Sequence, residues 1–279
     1  MHNLLLFIAI FLFICTIIYR VKENFEENKD NKLTLITHVY NEEYLLPFWL
    51  THHRGIFDDL IVIDYKSTDR SIEICKELWP NCTIITSRNE KFEAIEVDKE
   101  VMDVENSVAG IKMVLNTTEF LVKDTNIKEM FYEKKSYGVV PYGPYSLTEK
   151  NINTTDELFK SLLDDDVKFY EESEVRGQRQ IHNYNNGNYT TGRHSTNNPS
   201  EISDKLYIIW LGFYPLNESL FKRKLQIKEK MSESDKTNGY GIQHFMQKNE
   251  LMDTLTDKYN KGDSLENINL ELYNIIKNY

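Results

Sequence analysis

The stretch from residue 32 to residue 73 constrains the fold most, because strand-like and helix-like patterns alternate along it. Leu33–Val39 and residues 60–63 are short apolar or β-branched runs that favour strands, and polar residues follow each of them. Largely apolar strands that alternate with helices are typical of a parallel sheet covered on both faces. In such sheets ligands bind beyond the carboxyl ends of the strands. The sequence therefore predicts an α/β fold with a ligand site at that edge.

Patterns further along the chain extend this alternation. A helix whose first turn contains Pro47 follows the first strand, and a helix capped within residues 67–69 follows the second. Thr83–Thr86 and residues 111–115 are further predicted strands, with a helical stretch over residues 93–109 between them. We expect a mixed, mainly parallel sheet that is flanked by helices.

The N-terminal segment predicts a membrane anchor. Residues 4–18 contain neither a charge nor a proline, and the apolar span of about 16 residues is slightly shorter than the ~20 that cross a typical bilayer. A cleaved signal peptide is the alternative, but no Lys or Arg precedes the span and no small-residue cleavage site follows it. We predict a transmembrane anchor over residues 1–20 and a polar linker over residues 21–31.

Composition excludes one class of partner. The formal net charge is −11 and the isoelectric point is about 5.2, whereas nucleic-acid binders hold phosphates with clustered Lys and Arg. We therefore expect no nucleic-acid partner. Cys15, Cys75 and Cys82 lack the spacing of a zinc site, and we expect reduced thiols rather than a disulfide framework.

Three motifs in the first 40 residues of the predicted domain resemble a known enzyme family. They keep the family's order and spacing: Asn41-Glu42-Glu43-Tyr44-Leu45, then His53-Arg54-Gly55-Ile56, then Asp64 with Ser67-Thr68-Asp69. A later segment, Thr191-Gly192-Arg193-His194-Ser195, is similar to a Gly-Arg-His motif of related enzymes. Together they resemble the nucleotide-sugar-dependent glycosyltransferases of the GT-A fold, in the family 2-like and family 92-like branch. The resemblance implies a GT-A-like domain over residues 32–245, and we expect residues 246–279 to form helices packed on it.

This resemblance implies a substrate pair and a binding site. The donor would be a nucleoside diphosphate sugar, and the acceptor would be a hydroxyl of a glycan, glycoprotein or glycolipid, with inversion at the sugar. Carboxylates at strand ends suit contacts with the base and ribose, and a cation suits the diphosphate. Asp69 has the alternative role of a helix N-cap. The nucleotide-binding candidates are Thr37, Asn41, Glu42, Asp64, Asp69 and Arg193.

The membrane side that the domain faces stays open. Arg20 and Lys22 follow the apolar segment, and the positive-inside rule places such residues in the cytosol. Anchored enzymes of the resembled family mostly face a lumen instead. We predict a single-pass membrane localisation without an assigned side.

The chain departs from the resembled family at the metal site. In metal-dependent members, the strand that here ends at Leu115 runs into Asp-x-Asp, which holds Mn²⁺ or Mg²⁺ against the diphosphate. This chain has Asn116-Thr117-Thr118-Glu119 instead. Three accounts are open: Glu119 holds the metal with His194 or His244, Arg193 replaces the metal, or the protein has lost turnover.

Sequence alone does not rank the candidates for a general base. An inverting transfer needs a carboxylate or histidine within hydrogen-bond reach of the acceptor hydroxyl. The candidates are Asp103, Glu105 and Glu172, with Glu174 beside the last.

Four segments have a functional and a structural interpretation. Residues 136–146 are predicted to be a loop that lines a sugar pocket or makes an ordinary connection, and residues 176–198 to be a sugar and acceptor loop. The basic helix over residues 221–231 is predicted to have a solvated face, with anionic lipid or the diphosphate as the alternative partner. Residues 235–244 are predicted to form a lid or a flexible loop.

Two other functional classes remain as alternatives. A non-catalytic protein that keeps the fold and binds nucleotide sugars or glycans fits the altered Asp-x-Asp. A nucleotidyltransferase is disfavoured, because no glycine-rich phosphate loop follows the first strand.

Overall fold

The computed structural model describes residues 32–132, 134–241 and 244–279. The predicted anchor and linker lie outside these residues, so both stay predictions. In the three described ranges, no helix is long and apolar enough to cross a membrane.

The described residues form a mixed α/β fold around a nine-stranded sheet in the order β3-β2-β1-β4-β8-β6-β9-β5, with β7 paired to β6. The strands are β1 Leu33–Val39, β2 Asp59–Asp64, β3 Thr83–Thr86, β4 Ile111–Val114, β5 Glu119–Lys123, β6 Ser136–Tyr145, β7 Lys168–Glu171, β8 Arg179–His182 and β9 Glu201–Trp210.

Helices connect these strands and form the C-terminal end of the chain. They are α1 Leu46–His53, α2 Ser71–Leu78, α3 Ala94–Asn106, α4 Ile127–Met130, α5 Thr155–Ser161, α6 Ser173–Arg176, α7 Glu218–Gln226, α8 Glu233–Asn238, α9 Lys248–Lys261, α10 Leu265–Ile268 and α11 Leu270–Lys277. Short 3-10 turns span Thr191–Arg193 and Ile227–Glu229.

The expectation of a mainly parallel sheet is wrong for the second half of the domain. β1–β2, β1–β4, β2–β3 and β6–β9 are parallel pairs, but β4–β8, β5–β9, β6–β7 and β6–β8 are antiparallel. The predicted loop over residues 136–146 is mostly β6, a central strand. Its glycines and prolines suggested turns, yet Gly143 serves close packing, because a Cβ there would lie 3.2 Å from the Trp210 ring.

One edge of the sheet collects chain ends from both halves. β1 and β4 are parallel and end there, and β8 begins there because it is antiparallel to β4. β6 and β9 also end at this edge, and β5 begins there, since Glu119 pairs with Trp210. We call it the carboxyl edge. It is the edge at which the sequence predicts ligand binding.

Two side chains of α1, Trp49 and His53, connect this helix to β5. Trp49 Nε1 donates to the Glu119 carbonyl at 2.9 Å, and the Leu121 amide donates to His53 Nε2 at 3.1 Å. Burial lowers the pKa of His52 to about 4 and that of His53 well below its usual value. Both rings are therefore neutral at pH 7, as a histidine that accepts an amide hydrogen bond must be.

The C-terminal helices share the cores of the domain. Leu251 and Leu255 of α9 pack in a cluster with Trp210 and Phe213. Leu272 of α11 is buried in the main hydrophobic core. Burial of these side chains stabilises the attachment at roughly 1.5–3 kcal/mol for each large apolar side chain.

Candidate functional site

A cavity of about 390 Å³ lies at the carboxyl edge. His38, Tyr40 and Glu42 line it from the end of β1 onward, and residues 116–118 line it from the turn after β4. Residues of α3, the start of β8, residues 191–194, the end of β9 and described residues between α7 and His244 also line it. The site therefore draws on both halves of the sheet.

Cations dominate the charged lining of this cavity. The cationic side chains are Arg176, Arg179, Arg193, Arg223 and Lys224, and the carboxylates are Glu42, Asp98 and Asp235. All of them are buried except Arg176, which is half-buried. Buried charges are costly unless partners neutralise them. The pairing of each cation therefore decides what the cavity can bind.

Two of the arginines have a carboxylate at hydrogen-bond distance. Arg179 Nε and Nη2 each lie 2.8 Å from Glu119 Oε1, and Arg193 Nη1 donates to Asp98 Oδ1 at 2.7 Å. Arg193 Nη2 donates to Asn116 Oδ1 at 2.9 Å. Burial alone would raise the pKa of Glu119, but the charge and hydrogen bonds of Arg179 hold it below its usual range.

The same network holds the Gly-Arg-His segment in an uncommon backbone conformation. Gly192 has φ 78° and Arg193 has φ 56°, a left-handed region that a residue with a Cβ seldom adopts. The Gly192 amide donates to Asp98 Oδ2 at 2.6 Å, and Arg179 Nη1 donates to the Arg193 carbonyl at 2.8 Å. These contacts offset the strain and point the segment into the cavity.

Arg223 and Arg176 keep donors without partners. Arg223 Nη1 lies 3.6 Å from Glu42 Oε1, while its buried Nε and Nη2 have no hydrogen-bond partner in the described structure. The guanidinium carbon of Arg176 lies 3.2 Å from the centroid of the Trp210 ring, and its Nε has no hydrogen-bond partner there either. Burial lowers the pKa of Arg176 to about 10.

Lys224 has the least compensated charge in the cavity. Its Nζ lies 3.9 Å from the centroid of the Phe213 ring, and no described residue forms a hydrogen bond or an ion pair with it. Burial, followed by the charges of Arg223 and Arg176, lowers the pKa of Lys224 well below its usual value. This environment therefore disfavours the ammonium form.

The three cavity carboxylates differ in how far they are engaged. Asp98 accepts from Arg193 and the Gly192 amide. Asp235 accepts from the Ala94 amide at the start of α3 at 3.0 and 3.3 Å. Glu42 keeps one oxygen, Oε2, without a hydrogen-bond partner in the described structure. Burial raises the pKa of both Glu42 and Asp235.

Of the nucleotide-binding candidates, Glu42 and Arg193 line the cavity, and the other four are not among its lining residues. Thr37 is buried within β1. Asn41 Oδ1 accepts from the Thr68 amide at 2.8 Å, and Asp64 Oδ1 accepts from the Ser67 amide at 3.0 Å. Asp69 accepts from the amides of Glu43 and Ser71 at 3.0 and 2.9 Å. The N-cap residue of α2 is Arg70, one residue beyond the predicted range, and it makes no side-chain cap hydrogen bond. These motif residues join the loops after β1 and β2.

The structure does not bring the predicted bases to the cavity. Asp103 forms an exposed ion pair with Arg88 at 2.7 Å. Glu105 is fully buried and accepts from the Tyr189 hydroxyl and the Gly187 amide at 2.7 and 2.8 Å. Glu172 is also buried, where Tyr145 and Lys258 bond to its two oxygens. Glu174 is exposed on α6.

The residues at the implied metal site do not fit a hard divalent cation. Glu119 Oε1 is occupied by Arg179, and its Oε2 accepts from the Asn116 amide at 2.8 Å. The Asn116 oxygen accepts from Arg193 instead of pointing to an ion. His194 and His244 line the cavity, and burial lowers the pKa of both, that of His244 to about 4. Over the described ranges, no group of three or more His, Cys, Asp or Glu side chains could hold a metal.

Sequence reasoning missed Asp98 as a cavity residue, because nothing local marks it within its helix. Arg176 and Arg179 lie inside the predicted sugar and acceptor loop of residues 176–198, but neither was singled out. Sequence reasoning did single out the basic run in α7, for which a solvated face was the favoured interpretation. That interpretation holds for Lys222, whose side chain is 74% exposed, but Arg223 and Lys224 are buried in the cavity.

Comparisons with known proteins gave distant similarities only. No family model matches the chain, and no curated protein does. Among solved structures it is similar to S. aureus TarS 1-349, with 12% identity, a TM-score of 0.39, and coverage of 71% of this chain and 65% of that one. The complex of TarS 1-349 with UDP-GlcNAc has 12% identity, a TM-score of 0.36, and coverage of 71% and 66%.

A second similar protein is glucosyl-3-phosphoglycerate synthase from Mycobacterium tuberculosis in complex with Mn²⁺, UDP and phosphoglyceric acid. It has 9% identity, a TM-score of 0.38, and coverage of 71% of this chain and 75% of that one. The aligned part of this chain thus spans just under two thirds of TarS 1-349.

Proposed function

We propose that the protein is a GT-A-like glycosyltransferase that moves a sugar from a nucleoside diphosphate sugar to a hydroxyl of a glycan, glycoprotein or glycolipid, with inversion. One observation carries the proposal. A cavity at the carboxyl edge is lined by more cationic side chains than carboxylates, beside the strands that bear the Asn-Glu and Asp-x-x-Ser-Thr-Asp motifs. Such a cavity suits a ligand with several negative charges, and planar guanidinium groups match phosphate oxygens.

Glu42 is our candidate for the general base. It is the cavity carboxylate with an oxygen that no described residue engages, whereas Asp98 and Asp235 both hold backbone amides. Burial raises the pKa of Glu42, which brings a carboxylate closer to the range where a base is most effective. Glu42 replaces Asp103, Glu105 and Glu172 as the candidate general base.

The proposed reaction is a single displacement. Glu42 accepts the proton of the acceptor hydroxyl as its oxygen forms a bond to the anomeric carbon. The bond from that carbon to the diphosphate breaks, and the nucleoside diphosphate leaves with the electron pair. The cations of the cavity stabilise the charge that develops on the leaving oxygen. No step passes through a metal, because the residues at Asn116 and Glu119 do not fit one.

The predicted anchor adds a location to this proposal. An apolar segment over residues 1–20 would hold the catalytic domain at a membrane, close to glycolipid or glycoprotein acceptors.

A non-catalytic nucleotide-sugar or glycan binding protein is the second candidate. The observation that favours it is the separation of Asp103, Glu105 and Glu172 from the cavity, which leaves one carboxylate oxygen available for proton transfer. Binding of a donor without turnover would distinguish it from the enzyme.

Donor turnover tests the proposed function. In the presence of EDTA, we expect the full-length protein to release nucleoside diphosphate from at least one donor in a panel of nucleoside diphosphate sugars. Chromatography measures the released nucleoside diphosphate. The Asp103→Ala variant, changed outside the cavity, should release it at the native rate. Donor binding without release, with every metal and a range of acceptors, would contradict the enzyme and support the binding protein.

A further inference from the structure

The cations of the cavity fall into two groups by their carboxylate partners. Arg179 and Arg193 are each paired with a carboxylate within 2.8 Å, and both guanidinium groups also donate to protein oxygens. The second group is Arg176, Arg223 and Lys224, which we call the open cation cluster. None of these three side chains has a carboxylate as close as those of Arg179 and Arg193.

Too few carboxylates face the open cation cluster to balance it. Glu42 lies 3.6 Å from Arg223, beyond a normal hydrogen bond. Glu172 lies 3.7 Å from Arg176 and is shared with Lys258 at 3.1 Å. Within the described ranges, Lys224 Nζ forms no ion pair with either carboxylate, and it lies over the Phe213 ring. Arg176 and Arg223 therefore carry buried positive charges without a carboxylate at hydrogen-bond distance.

The cluster also presents donors that need acceptors. Arg223 is 6% exposed, and two of its nitrogens have no partner within the described ranges. A buried donor that loses its water without gaining a partner is strongly destabilising, and native structures contain few of them. Since the side chain lines an open cavity, an anionic ligand can supply the missing acceptors.

We propose that Arg176, Arg223 and Lys224 form a metal-independent site for the diphosphate group of the donor. This inference rests on the proposed function for the identity of the ligand. Arg193, which the sequence favours, is not the main ligand, because Asp98 and Asn116 each accept a hydrogen bond from one of its terminal nitrogens. The open cluster supplies the charge that Mn²⁺ or Mg²⁺ supplies in the resembled family.

Ligand binding at this cluster should draw a proton onto Lys224. The groups that face its amine are Arg223 on α7, Arg176 on α6, Glu42 after β1 and His244, together with the Trp210 and Phe213 rings. The cations among them oppose the ammonium form, and a diphosphate placed between them favours it. Binding and protonation are then linked.

Binding of inorganic pyrophosphate tests the site without requiring turnover. We expect titration calorimetry on the full-length protein to show pyrophosphate binding in EDTA, with an affinity that Mg²⁺ does not raise. Arg223→Met should weaken binding by about 10- to 100-fold, the loss expected for charge-assisted hydrogen bonds. Lys222→Met, which changes the exposed neighbour, should leave it unchanged. Binding that requires Mg²⁺ or Mn²⁺, or that survives Arg223→Met, would overturn the proposal.

Two further arms define the ligand and the role of Lys224. Methyl phosphate should bind at least tenfold more weakly than pyrophosphate, and equal binding would overturn the assignment to a diphosphate. Titrations in Tris and in PIPES should show more proton uptake by the native protein than by Lys224→Arg, whose side chain is always charged. Equal uptake would remove Lys224 from the site. Pyrophosphate binding in a protein that turns over no donor would separate failure of the proposed function from failure of this site.

Discussion

Replacing Glu119 with alanine is expected to lower the free energy of unfolding by about 3–5 kcal/mol, the cost of leaving a buried charge without its partner. Glu119 is 2% exposed and holds both Arg179 and the turn after β4 through the Asn116 amide. Urea denaturation of the full-length protein measures the change. The matched control is Asp103→Ala, which breaks an exposed ion pair and should cost at most about 1 kcal/mol.

This variant also separates a structural Glu119 from a metal-binding one. If Glu119 is structural, the double variant Glu119→Leu/Arg179→Leu should recover part of the lost stability, because neither charge of the buried pair remains. A Glu119→Ala protein as stable as Asp103→Ala, but without metal-dependent turnover, would contradict our account. It would restore Glu119 as a metal ligand.

Replacing Glu42 with glutamine is expected to reduce kcat by about 10²- to 10⁴-fold, the range in which a general base contributes. Glutamine keeps the size of the side chain and cannot accept the acceptor proton. The fall should appear in kcat rather than in donor affinity, measured by initial rates over a range of donor concentrations. Glu43→Gln, whose side chain is 38% exposed and pairs with Lys222, is the control and should be as active as the native protein.

The pH profile of the same enzyme gives a second readout. Glu42 must be deprotonated to act as a base, so activity should rise as the pH rises through its pKa. Burial raises that pKa, so the acid limb of kcat should lie above the usual range of a glutamate. Glu42→Gln should lose this limb. An unchanged limb in the variant would assign the base to another group.

The sequence predicted best those elements that local patterns define. β1 and β3 have the predicted bounds, because each is an apolar or β-branched run between polar residues. The carboxyl edge was also predicted from these runs, and Glu42 lies there in the cavity. Asn41 and Asp69 belong to the same motifs, yet they hold two loops together, a role that spacing alone does not separate from ligand contact.

The second half of the sheet could not be predicted in the same way. β6 contains Gly143, Pro141 and Pro144, which favour turns locally. It is a strand because β7, β8 and β9 all pair with it across long sequence separations. Tertiary pairing of this kind overrides local propensity. The antiparallel share of the sheet follows from those pairings.

The cations of the cavity show the same limit. A basic run is usually a solvated face, and Lys222 follows that rule. Lys224 is buried beside it against the rings of Trp210 and Phe213, which come from β9 and the residues after it. Arg223 is buried near Glu42. Arg176 stacks on the same Trp210. Only the folded chain brings these residues together.

A crystal structure of the full-length protein with a bound nucleoside diphosphate and excess MgCl₂ is the most direct test of the central claim. Our account predicts diphosphate oxygens within about 2.7–3.2 Å of nitrogens of Arg223 and Lys224, with no ion between ligand and protein. A diphosphate held through Mg²⁺ on Asn116 and Glu119, with Arg223 left without an acceptor, would contradict it.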